Sequence, residues 1–415
     1  MTAIATLLSA LFALTTPLAA QESSTGTMRA ISLEEAFSLA AARSEALAQQ
    51  GEYVAQLAEA EKLAAAAFRP SLDLDASQAG QQHSASSSRA YLRAGYSVFS
   101  GMRDYIAAKA ASARTDAAGL DLSRARQLLY LGTAQAYITL FETQRELAIR
   151  REQLDVTARR IEELQGRVDL GRSRRSELVA ARTQLAQDKA SLLASSSGER
   201  LAQQALKFAT GLEEDLLPAE PALRGQGRLD DYLRASLSRP DIAARRKSLQ
   251  QYSFLYDIEA RGRWPSVSAY ADYYVLRDPM PDPPDRWDAG LTLTMPLYTG
   301  GAIPARREAA SSARRSAELG LELASRQAMS EVRSAYDEYR FLALQAAALE
   351  EALGLARENA SLQQGDYKLG LVTNLDVLSA LNAVQQVRLS LAAARAGEAL
   401  ALVKLETAAG LEARK

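Results

Sequence analysis

Four stretches of the chain alternate apolar and polar side chains with a period of two. Leu72, Leu74 and Ala76 oppose Asp73, Asp75 and Ser77, while Leu92, Ala94, Tyr96 and Val98 oppose Tyr91, Arg93, Gly95 and Ser97. Val267, Ala269, Ala271, Tyr273 and Val275 oppose Ser268, Tyr270, Asp272 and Tyr274. Ala289, Leu291, Leu293, Met295 and Leu297 oppose Asp288, Gly290, Thr292, Thr294 and Pro296. This is the period of strands with one apolar and one wet face. It predicts strands at about 71–79, 89–99, 266–277 and 287–298, joined in pairs by polar, turn-prone loops.

The rest of the chain is rich in Ala, Leu, Glu, Arg and Gln, which favour helix. Helical pattern runs from about 102 to 170 and from about 304 to 369. At 1.5 Å per residue each run is roughly 100 Å long, more than a globular domain can bury. Val332, Ala335, Tyr339, Leu342, Ala346, Leu349, Leu353, Ala356 and Ala360 step alternately by three and four, the seam of a coiled coil. Gly171 and Gly370 mark helix ends, after which an antiparallel helix returns. Pro304 falls near a helix start, where its missing N–H matters little.

The two halves of this pattern are copies. Leu33 aligns with Leu229, Pro70 with Pro265 and Gly101 with Gly300. From there the offset holds at 199, pairing Tyr137 with Tyr336, Gly171 with Gly370, Glu177 with Asp376, and Gly211 with Gly410. The chain therefore divides into a first repeat at 29–211, a linker at 212–228 and a second repeat at 229–411. Each repeat reads helix, strand, strand, long helix, turn, long helix.

Strands of nine to eleven residues have the length that crosses a bilayer when tilted. An apolar face backed by acids and hydroxyls suits lipid outside and water inside. Trp264 and Trp287 stand at strand ends, where interfacial aromatics belong. The other reading is a soluble sandwich with its apolar faces turned inward. Four strands cannot close a barrel, and an open edge is not tolerated in lipid. Three chains would supply twelve strands, an even number in the usual range.

Composition narrows the chemistry. The 415 residues hold 49 basic and 50 acidic side chains, a net charge of −1, which gives no sign of a nucleic-acid partner. There is no cysteine, so disulfides and thiolate chemistry are excluded. The one histidine, His83, reads as an exposed loop residue, and no metal or cofactor is expected. No phosphate loop or nucleophile elbow is present, and no enzyme activity is expected. Residues 1–20 carry no charge, and their apolar run from Ala3 to Leu14 is short. That segment reads as a signal peptide, with a buried N-terminal helix as the alternative.

The ordered set of features resembles the TolC family of outer-membrane efflux and secretion channels. It consists of the tandem repeat, the R-P-S-L and W-P-S-V entries to the strand pairs, the F-S-G and Y-T-G-G exits, and Y-K-L-G-L-V-T-N-L-D-V-L-S-A at the second turn. The resemblance covers about residues 30–411. It implies a mainly α protein with a β-barrel portion: a homotrimer with a twelve-stranded barrel in outer-membrane lipid of a Gram-negative bacterium and a coiled-coil tunnel in the periplasm. It implies partners as well, a periplasmic adaptor (membrane fusion protein) and an inner-membrane transporter of RND or ABC type. The implied function is the exit duct of a tripartite efflux system, with type I protein secretion as the alternative. An adaptor or coiled-coil scaffold is the alternative from another class.

By the same resemblance, the periplasmic mouth closes on Asp376, with Glu177 and Tyr367 in the gating set. The family's second acid corresponds to Ser379, so the acidic ring is thinner here. Its basic partner corresponds to Val372, so the clamp is absent or is rebuilt with Arg172, Arg174 or Arg175, which read first as a plain solvated turn. Asp376 can also be read as a plain helix-start acid. Leu170, Gly171, Arg172, Leu369, Gly370, Leu371 and Val372 would form the adaptor-docking tips, or else pack between neighbouring turns.

Overall fold

The computed structural model describes residues 28–81, 84–221, 227–278 and 285–411. The signal-peptide segment, His83 and part of the linker lie outside the described residues. The elements in order are β1 (Arg29–Ile31), α1 (Leu33–Arg43), α2 (Glu45–Ala66), β2 (Ser71–Gln81), β3 (Ser84–Phe99), α3 (Arg103–Asp169) and α4 (Arg175–Thr210). Then follow β4 (Leu216–Pro218), α5 (Leu229–Ser236), α6 (Pro240–Ala260), β5 (Ser266–Asp278), β6 (Trp287–Thr294), α7 (Ala302–Lys368) and α8 (Asn374–Ala409).

The long helices of the two halves have identical lengths, 67 residues for α3 and α7 and 36 for α4 and α8. Their limits are related throughout by the same shift of 199. The backbone shares it: Gly101, Gly171 and Gly211 are left-handed, as are Gly300, Gly370 and Gly410. Met102 has φ +64°, an unusual conformation for a side chain with a Cβ, and its counterpart is Gly301 at φ +87°. The expected seam is present, with Val332, Ala335, Tyr339, Ala346 and Ala360 buried.

β2, β3, β5 and β6 form one antiparallel sheet in that order. Register fixes the faces. Leu74 stands opposite Leu92, Leu92 opposite Tyr273, and Tyr273 opposite Trp287. On the other face Asp73, Arg93, Asp272 and Asp288 share a row. The apolar face is uncovered within the chain: Leu72, Leu74, Leu291 and Leu293 are each about 70% exposed.

Four expectations need correction. β3 was expected from about 89 but begins at Ser84. The last strand was expected to reach 298 but ends at Thr294, which pairs with Ser266, the first residue of β5. Past that point β6 has no partner strand among the described residues, and Pro296 carries no N–H for a ladder. The helix preceding each strand pair is two helices: Ser44 caps α2, and Pro240 opens α6. The linker is partly structured, because its β4 pairs in parallel with β1. Tyr137 Oη holds that junction by donating to Ile31 O (2.9 Å) and Ala219 O (3.0 Å), and its burial pushes the hydroxyl up to about 12. Three-residue strands have no period to read, which is why this small sheet escapes a sequence pattern.

The helices next to the sheet repeat its order, α2 on α3, α3 on α6 and α6 on α7. Toward the turns the order becomes α4, α3, α8, α7. β2 and β6 are therefore open edges of the sheet, and α4 and α7 are the outer helices of the hairpin layer.

Candidate functional site

The two turns at the ends of the helical hairpins close in the same way. Arg172 N donates to Arg167 O (2.7 Å) and Leu371 N to Asp366 O (2.9 Å), across left-handed Gly171 and Gly370. This satisfies carbonyls that a helix end leaves open, and it needs φ > 0 at the glycine. Leu170, Leu369 and Leu371 are more than 70% exposed around these turns, and Arg172 is exposed beside them. Val372 behaves differently. It packs on Leu164, Leu178, Ala181, Tyr367, Val377 and Leu378, a small core shared by both hairpins.

Asp376 lies three residues after Thr373 and forms a capping box. Its Oδ2 accepts from Thr373 N (2.8 Å) and Thr373 Oγ1 (2.6 Å), while Asp376 N donates to Thr373 Oγ1 (3.4 Å). The Thr373 hydroxyl, with the Thr373 amide behind it, holds the Asp376 carboxyl below the ordinary aspartate value of 3.8. Asp376 and Ser379 are both exposed, three residues apart on α8. Glu177, the counterpart of Asp376 on α4, is half-buried and accepts from Ser173 Oγ (2.7 Å). The structure thus places Asp376 and Glu177 at equivalent helix starts, each bonded to its own turn.

Tyr367 has a different surrounding. It is 8% exposed, and two guanidinium groups of α3 stack on its ring, Arg160 at 4.2 Å and Arg167 at 4.7 Å. Arg160 Nε also donates to Asn374 Oδ1 (2.7 Å) and Arg160 Nη1 to Glu163 Oε2 (2.6 Å). Asn374 is 1% exposed at the start of α8. Arg160 therefore ties the first hairpin to both helices of the second. Arg172, Arg174 and Arg175 are exposed on the first turn, the position of a solvated turn, and Arg160 with Arg167 occupies Tyr367. A basic residue inside a charge-rich helix carries no local signal of this role, so sequence reasoning missed it.

Two further links join α3 and α4 to α8. Arg388 Nη2 donates to Glu152 Oε2 (2.7 Å), which holds the Glu152 carboxyl below the usual range, and Asn382 Nδ2 donates to Gln184 Oε1 (3.2 Å). The turn region is a seam of polar ties between two coiled coils, over a short apolar cluster.

Among the described residues no cluster of His, Cys, Asp or Glu could hold a metal ion, and no helix is long and apolar enough to cross a membrane. Residues 232–411 match the family model for the outer membrane efflux protein. The match takes in most of the second repeat. The fold of the chain is found in solved structures. CusC, described through its transmembrane channel formation, matches at a TM-score of 0.82 and 18% identity, over 91% of this chain and 92% of its own. The outer membrane protein VceC from Vibrio cholerae matches at 0.79 and 21%, over 91% and 96%. The outer membrane channel MtrE of Neisseria gonorrhoeae, in its open state, matches at 0.79 and 20%, over 91% and 89%. At these identities the likeness establishes the fold, including the half of the chain outside the family match. A search of curated proteins gave no match.

Proposed function

We propose that the protein is the outer-membrane exit duct of an efflux system, a ring of three chains that conducts small molecules passively. The observation that carries this reading is that both layers of the chain are unfinished in the same direction. The sheet presents unpaired edges at β2 and β6, and an edge in lipid must be paired. Below it, α4 exposes Leu193, Leu201 and Phe208, and α7 exposes Phe341, Leu344, Leu355 and Leu362. A heterologous contact of edge to edge generates a ring when the rotation closes. Three copies of four strands make a closed twelve-stranded barrel with Leu72, Leu74, Leu291 and Leu293 toward lipid and the row of Asp73, Arg93, Asp272 and Asp288 toward water. The helices then form a tunnel on the periplasmic side, ending at the leucine-rich turns.

In this reading Leu170, Leu369 and Leu371 meet a periplasmic adaptor that links the duct to an inner-membrane pump. Asp376, Ser379 and Glu177 line the mouth, and Tyr367 with Arg160 holds it shut. The family domain supports efflux. Secretion of protein through the same duct stays as the second use of this architecture, and a gene for a pump beside this one would separate the two.

The experiment is a pair of charge insertions. Leu291→Arg should destabilise the barrel by about 2–4 kcal/mol near the midplane and block outer-membrane assembly. Thr292→Arg, one residue away on the wet face, should assemble. Equal tolerance of the two would reject the barrel.

A further inference from the structure

The wet face of the sheet is sorted by charge along the strands. Counting from the helices toward the hairpin loops, register gives three successive rows. The first holds Asp73, Arg93, Asp272 and Asp288; the second Asp75, Tyr91 and Tyr274; the third Ser77, Arg89 and Arg277. Adjacent rows are two residues apart on β2 and β3, about 7 Å along a strand, and the last two are three apart on β5, where the register shifts. Arg93 is committed to Asp272 through two bonds, Nε to Oδ1 (2.9 Å) and Nη2 to Oδ2 (2.8 Å). The first row therefore keeps two uncompensated carboxylates, Asp73 and Asp288, and the third keeps two guanidinium groups.

Two like charges directly opposite each other across strands destabilise a sheet. Arg89 and Arg277 nevertheless stand opposite, and among the described residues neither has a carboxylate within ion-pair distance. The tyrosines keep the signs apart. Tyr91 and Tyr274 touch at 5.4 Å between centroids, Arg277 lies over Tyr274 (4.4 Å) and Arg93 over Tyr91 (5.0 Å). Tyr274 Oη donates to Asp288 Oδ2 (2.8 Å). A layer of two tyrosines, with Asp75 beside them on β2, thus separates an acidic row from a basic one, with side chains on both sides anchored to the rings.

We propose that the barrel interior is a two-signed selectivity belt: an outer cationic zone at Arg89 and Arg277 that concentrates anionic groups, above an anionic zone at Asp73 and Asp288 that concentrates cationic ones. The proposal rests on the exit-duct reading, since only in a ring does this face line a lumen. Three copies repeat each zone around one axis, and a low-dielectric wall focuses its field. At 0.1 M salt the Debye length of about 10 Å is shorter than the separation of the outer rows, so the two zones act separately. Cargo carrying both signs would be oriented along the axis as it leaves, and ions of either sign would meet an attractive and a repulsive zone in sequence.

The absence of cysteine makes a direct test possible on the full-length assembled protein. Ser77→Cys reports from the basic row, and Ser71→Cys reports from beside the acidic one, on the same strand. Each is treated with membrane-impermeant thiosulfonate reagents of opposite charge, and the rates are divided by those for a free small thiol. Ser77→Cys should react several-fold faster with the anionic reagent and Ser71→Cys several-fold faster with the cationic one. Both preferences should fade at 1 M salt. Adding Arg89→Ser with Arg277→Ser should abolish the first preference, and Asp73→Asn with Asp288→Asn the second, while Arg89→Lys with Arg277→Lys keeps the first. Equal rates for both reagents at both positions would overturn the belt and leave the duct standing. No reaction at either position in the assembled protein would show that this face lines no water-filled lumen, and would overturn both.

Discussion

The two helical hairpins have the same lengths and the same turns, yet their interiors differ. In the first, Asp188 is 4% exposed and accepts from Gln153 Nε2 (2.8 Å), Thr157 Oγ1 (2.7 Å) and Gln184 Nε2 (2.9 Å). Shifted by 199, the same four places in the second hairpin hold Ala352, Ala356, Ala383 and Val387. The second seam instead packs Ala346, Leu391 and Ala394 with Leu349 and Leu353. The turns differ in the opposite sense: the second has the Thr373–Asp376 capping box, whereas Arg174 begins α4 without a side-chain cap. One backbone plan is thus held by a buried polar layer in one copy and by apolar packing with a capped turn in the other. A buried polar layer sets register and is sensitive to the loss of any member, while an apolar seam tolerates sliding.

The sharpest way to break this contrast is at Asp188. Asp188→Ala should destabilise the protein by about 2–3 kcal/mol, because two buried donors and a half-buried one lose their acceptor. Copying the second hairpin in full, with Gln153→Ala, Thr157→Ala, Gln184→Ala and Asp188→Val together, should restore most of that stability. Thermal unfolding of both variants measures the difference, and a quadruple variant worse than the single would mean the layer is not a separable unit.

A smaller effect is expected where the hairpins meet. Arg160→Ala removes the bond to Asn374 and the stack on Tyr367, and should destabilise by about 1–2 kcal/mol. It should also raise single-channel conductance in planar bilayers if Arg160 keeps the mouth shut. Arg160→Lys should not restore the wild-type state, since a point charge cannot stack and bond in the plane as a guanidinium does. Unchanged conductance in both would confine Arg160 to a structural part.

The smallest effect concerns the turns. Thr373→Ala should destabilise by about 1 kcal/mol, whereas Arg174→Ala at the equivalent place should change little. The cap also has a pH signature. The Asp376 carboxyl titrates lower in the folded chain than in the unfolded one, so its stabilisation is present above the ordinary value of 3.8 and fades as pH falls below it. Hydrogen exchange at the second turn should accelerate over that acid range in the wild type, and Asp376→Asn should remove the pH dependence.

Much of this was legible in the chain. The strand faces followed from alternation, because a period of two leaves only one way to place Leu72, Leu74, Leu291 and Leu293 together. The long helices followed from composition and the glycine stops. The shift of 199 could also have exposed the polar layer, by setting Gln153, Thr157, Gln184 and Asp188 against Ala352, Ala356, Ala383 and Val387. Read singly, such residues look like a solvated helix face. Arg160 was beyond reach, since its partners Tyr367 and Asn374 lie more than two hundred residues away. The end of β6 was also beyond reach, because it depends on where its partner strand begins. For Asp376 the residues T-N-L-D already spelled a cap, and the structure shows that bond, while its part in the mouth stays a proposal.

The central claim is that the chain completes itself only in a closed ring of its own copies. Native mass spectrometry of the protein released from detergent micelles tests it most directly. A dominant species at three times the mass of one chain, lost when Phe208→Glu and Phe341→Glu charge the outer helices, is the expected result. A monomer that retains its full helix and strand content would contradict it.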